Sequence, residues 1–220
     1  MNLPLVVAVS IFIVFFNTEQ SLSQTLAPDV VRSAVNYHDE TNHWPDLSTT
    51  LKFEEHRPGH PVRHTTFSLD NTTGSFEINR GGKEKHGVVN DSCYIEIGNV
   101  DCERARTLRN YYLYLWGLPM KLLDRGTKID EIARKTTYEN LPAFEVRVPY
   151  KSDTWYFYFD RVSYRLLGYK FYQDEEEING EWIRLEEQIL VEGILMPKKR
   201  SWYTLPEEKY LGMDILTGYE

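Results

Sequence analysis

The chain has 220 residues and a formal net charge of −8 at pH 7, with 25 Lys and Arg against 33 Asp and Glu. That balance argues against a nucleic-acid binder, which needs clustered cations to displace counterions from the phosphate backbone. Hydrophobic residues make up 41% and aromatic residues 14%, enough for one domain with a strongly aromatic core.

Leu3 to Phe16, LPLVVAVSIFIVFF, is an uncharged apolar run shorter than a comfortable membrane span. NTEQSLSQ follows, and Ser21 and Ser23 supply the small residues of a cleavage site. The expectation is a signal peptide over residues 1–23, cleaved near Ser23, and a single periplasmic or secreted domain over 24–220 with no stable transmembrane span. An uncleaved anchor is the alternative, because the segment before the apolar run carries only the terminal amine as positive charge. Export puts Cys93 and Cys102 in an oxidising compartment, where pairing is the default. Their nine-residue separation fits neither a CxxC motif nor a zinc knuckle.

Pro28 and Asp29 predict a helix start, with a proline in the first turn and an acid near the positive end of the dipole. Val30, Val31, Ala34, Val35 and His38 follow at helical spacing, so an amphipathic helix ending around His38 is expected. His38 and Asp39 would serve as a base and its orienter only if they converged, and sequence neighbours generally point apart. A histidine in a last turn is explained by the dipole and the terminal carbonyls. Segments 47–56, 62–70, 74–80 and 84–97, separated by RPGHP, NTTG and RGGK, predict consecutive antiparallel strands. His56, His60 and His64 stand four apart, but Pro58, Gly59 and Pro61 forbid the helix that would align them. They predict a hairpin turn with His56 and His64 on its two arms. With no cysteine to add, no metal site is expected.

Asp101 predicts the cap of a second helix, from about Cys102 to Trp116, stopped by Gly117 and Pro119. Its first half mixes Arg104, Arg106 and Arg109 with Ala105 and Leu108, so one side is solvated. Its second half, in NYYLYLWGLPMKL, is apolar on nearly every side, although a helix seated on a core needs a single stripe. That pattern predicts a helix in the mouth of a curved sheet. Leu108, Tyr111, Tyr112 and Leu115 would face the strands, and Tyr114, Trp116 and Met120 would meet whatever covers the other side.

Segments 128–139, 142–150, 153–160, 164–173, 180–191 and 194–204 are joined by short turns and predict an antiparallel meander, followed by a tail to 220. In DTWYFYFD, Trp155, Phe157 and Phe159 share one face, and Thr154, Tyr156 and Tyr158 the other. The next strand sets Leu167, Tyr169 and Phe171 against Leu166 and Tyr172. Large side chains on both faces predict either a sheet covered on both sides, for instance by the two helices, or a tyrosine-bearing face lining a cavity. DEEE, Asp174 to Glu177, lacks the alternation and glycine bend of a calcium loop and is a solvated charge run. PKKR places Lys198 and Arg200 on one strand face and Lys199 on the other. They would meet a phosphate or lipid headgroup, or blunt an edge and pair with Glu186 and Glu187. No nucleophile elbow, HExxH, P-loop or dinucleotide fingerprint is present, and no cofactor is expected.

YYLYLWGLPMKLLDRGT, DTWYFYFDRVSYRLLGYKFYQDE, ILMPKKRSWY and YLGMDIL, with AVNYHD and Trp44, resemble an uncharacterised family of exported bacterial proteins classed as a domain of unknown function. That family is similar, at greater distance, to the lipoprotein-localisation proteins LolA and LolB. The resemblance implies a mainly β (α+β) fold, a curved antiparallel β-sheet half-barrel closed by two helices, which shields acyl chains in its concave face. It supplies no catalytic residue. The function expected is a non-enzymatic monomer that binds a lipid, an acyl chain or another apolar small molecule. Tyr111, Tyr114, Trp116, Met120, Trp155, Tyr156, Tyr158 and Tyr169 are the expected cavity lining. The alternatives are an envelope-interaction domain with a packed interior and a hydrolase using His38 or the hairpin histidines.

Overall fold

A computed structural model of the chain describes residues 24–176 and 178–220, so the apolar run and its expected cleavage point lie outside the described residues. A two-residue strand, β1 (Thr25–Leu26), leads into α1 (Ala27–His38). A short 3-10 turn at Trp44–Asp46 precedes the first meander: β2 (Ser48–His56), β3 (Arg63–Asp70), β4 (Ser75–Arg80), β5 (Lys85–Val89) and β6 (Ser92–Ile97). The strand expected over 84–97 is thus two, because Asn90, at φ 54, turns the chain after Val89. Next comes α2 (Cys102–Trp116), then a 3-10 turn at Met120–Leu123. The second meander is β7 (Ile132–Tyr138), β8 (Leu141–Pro149), β9 (Thr154–Asp160), β10 (Leu166–Asp174), β11 (Asn179–Val191), β12 (Ile194–Leu205) and β13 (Tyr210–Tyr219).

The described residues form one sheet in the order β1-β7-β8-β9-β10-β11-β12-β13-β2-β3-β4-β5-β6, with β1 and β6 as open edges. Every neighbouring pair is antiparallel. The expected tail is therefore strand β13, seated mid-sheet between β12 and β2. Its sequence hides this, because the row that includes buried Gly212 and Leu216 also holds Asp214, while apolar Met213 and Ile215 are only partly buried. PKKR also lies on an interior strand rather than an edge. Lys198 and Lys199 pair with Glu187, whereas Arg200 is buried.

Both helices sit on one face. One apolar cluster joins Ala27, Val30, Val31 and Ala34 of α1 and Leu115 of α2 to Phe144, Trp155, Phe157, Phe159, Tyr169 and Ile183. A second joins Trp44, Trp116 and Met120 to Leu51, Phe53, Phe67, Phe76, Met196 and Leu216. A fully buried aromatic or aliphatic side chain in such a cluster contributes about 1.5–3 kcal/mol. The opposite face carries a small cluster of Tyr138, Ala143, Tyr158 and Leu167, packed by Tyr156 and Trp182, with no helical residue. The helices therefore do not divide between the two faces. A bulge between Leu166 and Gly168 also shifts β10 by one residue, placing Leu166 with Tyr169 and Phe171 and moving Leu167 to the outer face.

The apolar half of α2 lies in the concavity, so strands flank it on both sides. Tyr114 turns towards β9, with its ring 5.3 Å from Trp155 and its hydroxyl 2.7 Å from that of Tyr150. Trp116 turns the other way, 4.3 Å from Phe53, and Tyr112 packs on Phe67 at 5.5 Å. Asp101 caps the helix, accepting from the Arg104 N–H at 2.7 Å. Gly117 closes it where a Cβ would run into the Trp44 ring and stand 2.7 Å from the Leu113 carbonyl. No helix among the described residues is long and apolar enough to cross a membrane.

Cys93 on β6 and Cys102 at the start of α2 lie at disulfide distance, with Cα atoms 5.6 Å apart. Arg109 donates to the Asn90 carbonyl at 2.8 Å and Arg106 to that of Asp91 at 2.8 Å, so the helix is strapped to the β5–β6 hairpin. The intact mass of the purified protein is expected to lie two hydrogens below that of the reduced chain. Quantitative thiol labelling without reductant would overturn this. Closing a loop of that size contributes about 2–3 kcal/mol in the chain-entropy picture.

AVNYHD acts as a latch. His38 is buried, its Nδ1 donates to the Leu195 carbonyl at 2.6 Å, and its Nε2 accepts from the Leu166 N–H at 3.1 Å. The ring thus joins α1 to β10 and β12 rather than serving its own helix terminus, and both nitrogens are engaged. Asp39, also buried, accepts from the N–H groups of His43 at 2.7 Å and Trp44 at 2.8 Å, which fixes the indole beside Gly117. In the first hairpin, His64 stands opposite Glu54 rather than His56. Among the described residues no three His, Cys, Asp or Glu side chains gather as a metal site.

Candidate functional site

Between α2 and the strands of the first meander lies a cavity of about 360 Å³. Its charged floor follows from strand register. Arg200 on β12 stands opposite Asp214 on β13, Asp214 opposite Glu55 on β2, and Glu55 opposite Arg63 on β3. Side chains opposed in a sheet share a face, so one charged row crosses four strands, with the two carboxylates side by side between the two arginines. Arg80 from β4 and Arg57 from the β2–β3 turn add two more cations, and Glu181 on β11 adds a carboxylate. The roof is α2, with Leu108, Tyr112, Leu115 and Trp116 turned inward and Arg104, Thr107 and Tyr111 exposed at the mouth.

Most of these charges are matched. Glu55 accepts from Arg63, from the Thr65 hydroxyl at 2.8 Å and from the Tyr112 hydroxyl at 3.0 Å. Burial opposes its charge, but Arg63 and Thr65 outweigh burial and hold the carboxyl below the usual range. Arg80 donates to the Tyr112 hydroxyl at 2.8 Å and to Glu84 at 3.0 Å. Arg57 donates to Asp214 Oδ1 at 2.8 Å, and the Trp202 indole N–H to Oδ2 at 3.2 Å. Burial nevertheless pushes the Asp214 carboxyl up, and burial alone does the same to Glu181. Arg200 sits over Trp116, with Cζ 3.4 Å from the ring centroid, and donates to the Leu115 carbonyl at 2.9 Å.

Of the eight residues expected to line a cavity, Tyr111 and Trp116 line this one. Tyr111 stacks on Trp202 at 6.2 Å. Tyr169 is fully buried on the same face. Trp155 and Met120 are core residues, and Tyr114 packs against the core beside Trp155. Tyr156 and Tyr158 do not meet Trp116. They border a separate outer-face groove of about 270 Å³ with Tyr172, Glu145 and Glu175, where Tyr156 donates to Glu175 and Arg147 donates to the same carboxylate at 2.8 Å. The charged floor was missed from sequence, although parity pointed to it: Glu55 continues the inward row of Leu51 and Phe53.

Solved structures share the fold. A LolA superfamily protein from Nitrosomonas europaea superposes with a TM-score of 0.56 at 8% identity, covering 89% of this chain and 93% of its own. A putative outer membrane lipoprotein-sorting protein domain from Vibrio parahaemolyticus gives 0.56 at 7% identity, covering 87% and 90%. A DUF1329 family protein from Desulfovibrio piger gives 0.53 at 9%, covering 88% and 92%. At these identities the likeness shows the half-barrel fold alone. No curated protein matches the chain. The chain belongs to the family of unknown function DUF6503, which it matches over residues 9–218.

Proposed function

We propose that the protein is a non-enzymatic, monomeric binding protein of the cell envelope, delivered there by its apolar N-terminal segment, which holds an apolar or amphiphilic molecule between α2 and the concave sheet. The observation that carries this reading is the cavity under α2. Its volume of about 360 Å³ falls within the roughly 300–1,000 Å³ of small-molecule sites, and its mouth is framed by an exposed aromatic, Tyr111. The half-barrel likeness to a lipoprotein-sorting domain supports the same class of ligand. His38, the hydrolase candidate, has both ring nitrogens engaged in the core.

Gentle native mass spectrometry of the protein purified from its own envelope fraction tests the proposal. A co-purifying adduct of lipid or amphiphile mass is expected, and a uniformly bare chain overturns it. The bare result would favour a packed interaction domain, a reading supported by the way Leu115, Trp116, Leu118, Met120 and Leu122 fill the rest of the concave face.

A further inference from the structure

Five arginines and three carboxylates line the cavity under α2, in a chain whose net charge is −8. The local excess of cations centres on Arg200. Its residue is 1% exposed, and Nε and Nη1 make no well-formed hydrogen bond, although the Tyr169 hydroxyl and the Asp214 carboxylate lie near enough to favour its charge. No described carboxylate lies within ion-pair distance of it. The neighbouring acids are committed elsewhere: Asp214 to Arg57 and Trp202, Glu55 to Arg63, Thr65 and Tyr112. A buried guanidinium with no direct ion pair is costly to the fold, because burial removes the hydration of its charge. At the mouth, Arg104 is likewise without an ion pair among the described residues and points a second free charge at the same space. Beside these charges the lining turns apolar, with Leu108, Leu211 and the stacked Tyr111 and Trp202.

We propose that this cavity is an anion site in which Arg200 is the fixed charge, and that it takes an oxyanion head group, carboxylate or phosphate, carried on an apolar tail. The head group supplies the missing counter-charge to Arg200, with Arg104 closing over it, and the tail leaves along Tyr111 and Trp202. Burial works against the charge of Arg200 and pushes Glu181 towards its neutral form, so both effects favour an incoming anion over the resident groups. The inference rests on the binding function proposed above and names the chemistry of its ligand.

The test uses protein purified from cells expressing the full chain, with the fluorescence of Trp116 and Trp202 and the melting temperature as readouts. Three probes are titrated: decyl phosphate, the neutral detergent decyl maltoside, and inorganic phosphate. Decyl phosphate is expected to bind at least about tenfold more tightly than decyl maltoside. Arg200→Met should abolish that preference, and Arg104→Glu, at an exposed position, should weaken it about threefold or more. If Arg200→Met does not fold, Arg104→Glu carries the decision.

Equal affinity for decyl phosphate and decyl maltoside overturns the anion site but leaves the binding function standing. Inorganic phosphate binding as tightly as decyl phosphate supports the anion site, and overturns both its apolar half and the function proposed above. An unchanged preference in a folded Arg200→Met protein removes Arg200 from the site. Binding of none of the three overturns both proposals.

Discussion

His38→Ala is expected to lower the unfolding free energy by about 3–5 kcal/mol, because it leaves a buried carbonyl and a buried N–H unpaired and opens a cavity beneath α1. The residue also sets a pH dependence. Burial, reinforced by the charges of Arg165 and Arg200 and only partly offset by the Leu195 carbonyl, lowers its pKa from 6.5 to about 4. Between those values the unfolded chain takes up a proton that the folded protein refuses. Stability is therefore full above pH 6.5, declines as the pH falls towards 4, and levels off below that. Each pH unit in the window weighs about 1.4 kcal/mol against the fold, for a total of about 3 kcal/mol. Urea unfolding across this range should show the slope in the natural protein and its loss in His38→Asn. Taking the difference between the two proteins cancels the carboxylates, including Glu55, Glu181 and Asp214. Parallel pH profiles would overturn the assignment.

Trp116→Ala should cost a further about 3–5 kcal/mol in its own right, the usual range for removing a buried indole. Here the ring does two things, since it packs against Phe53 and also carries the Arg200 guanidinium. In an Arg200→Met background the same truncation should therefore cost about 1–2 kcal/mol less. Strict additivity of the two changes would mean that the contact between ring and guanidinium contributes nothing. Chemical denaturation of the four proteins of that cycle decides it.

Much of the fold could be read from local chemistry. The limits of α2 follow from Asp101 and Gly117, and the hairpins follow from NTTG and RGGK. Three features depend on contacts far apart in sequence and left no local trace. Strand β13 presents Asp214 on its inward row because Arg57 and Trp202 wait there, so the hydrophobic alternation that marks a strand is broken. The bulge at Leu167 reverses the parity of β10 in the middle of an unbroken apolar run. Arg200 looks like the end of a basic surface cluster until β13 covers one side of β12 and Trp116 covers the guanidinium. The aromatic excess of α2 was legible, whereas its two-sided explanation depends on the curvature of the sheet. The helix blocks most of the concavity near its C-terminal end and, along one side from Arg104 to Trp116, roofs a charged hollow.

The central position of β13 governs the order in which the molecule can assemble. Synthesis proceeds from the N-terminus, so β2 to β6 emerge first and β7 to β12 later, and each group can close its hairpins from neighbouring sequence. The two halves of the sheet share no backbone ladder until Tyr210–Tyr219 is in place, because among the described strands β13 alone bonds both β12 and β2. Until then both strands present bare backbone, a template for mispairing with other chains. Strand β13 is thus the keystone of the sheet, and whatever keeps it from docking leaves two long edges open at once.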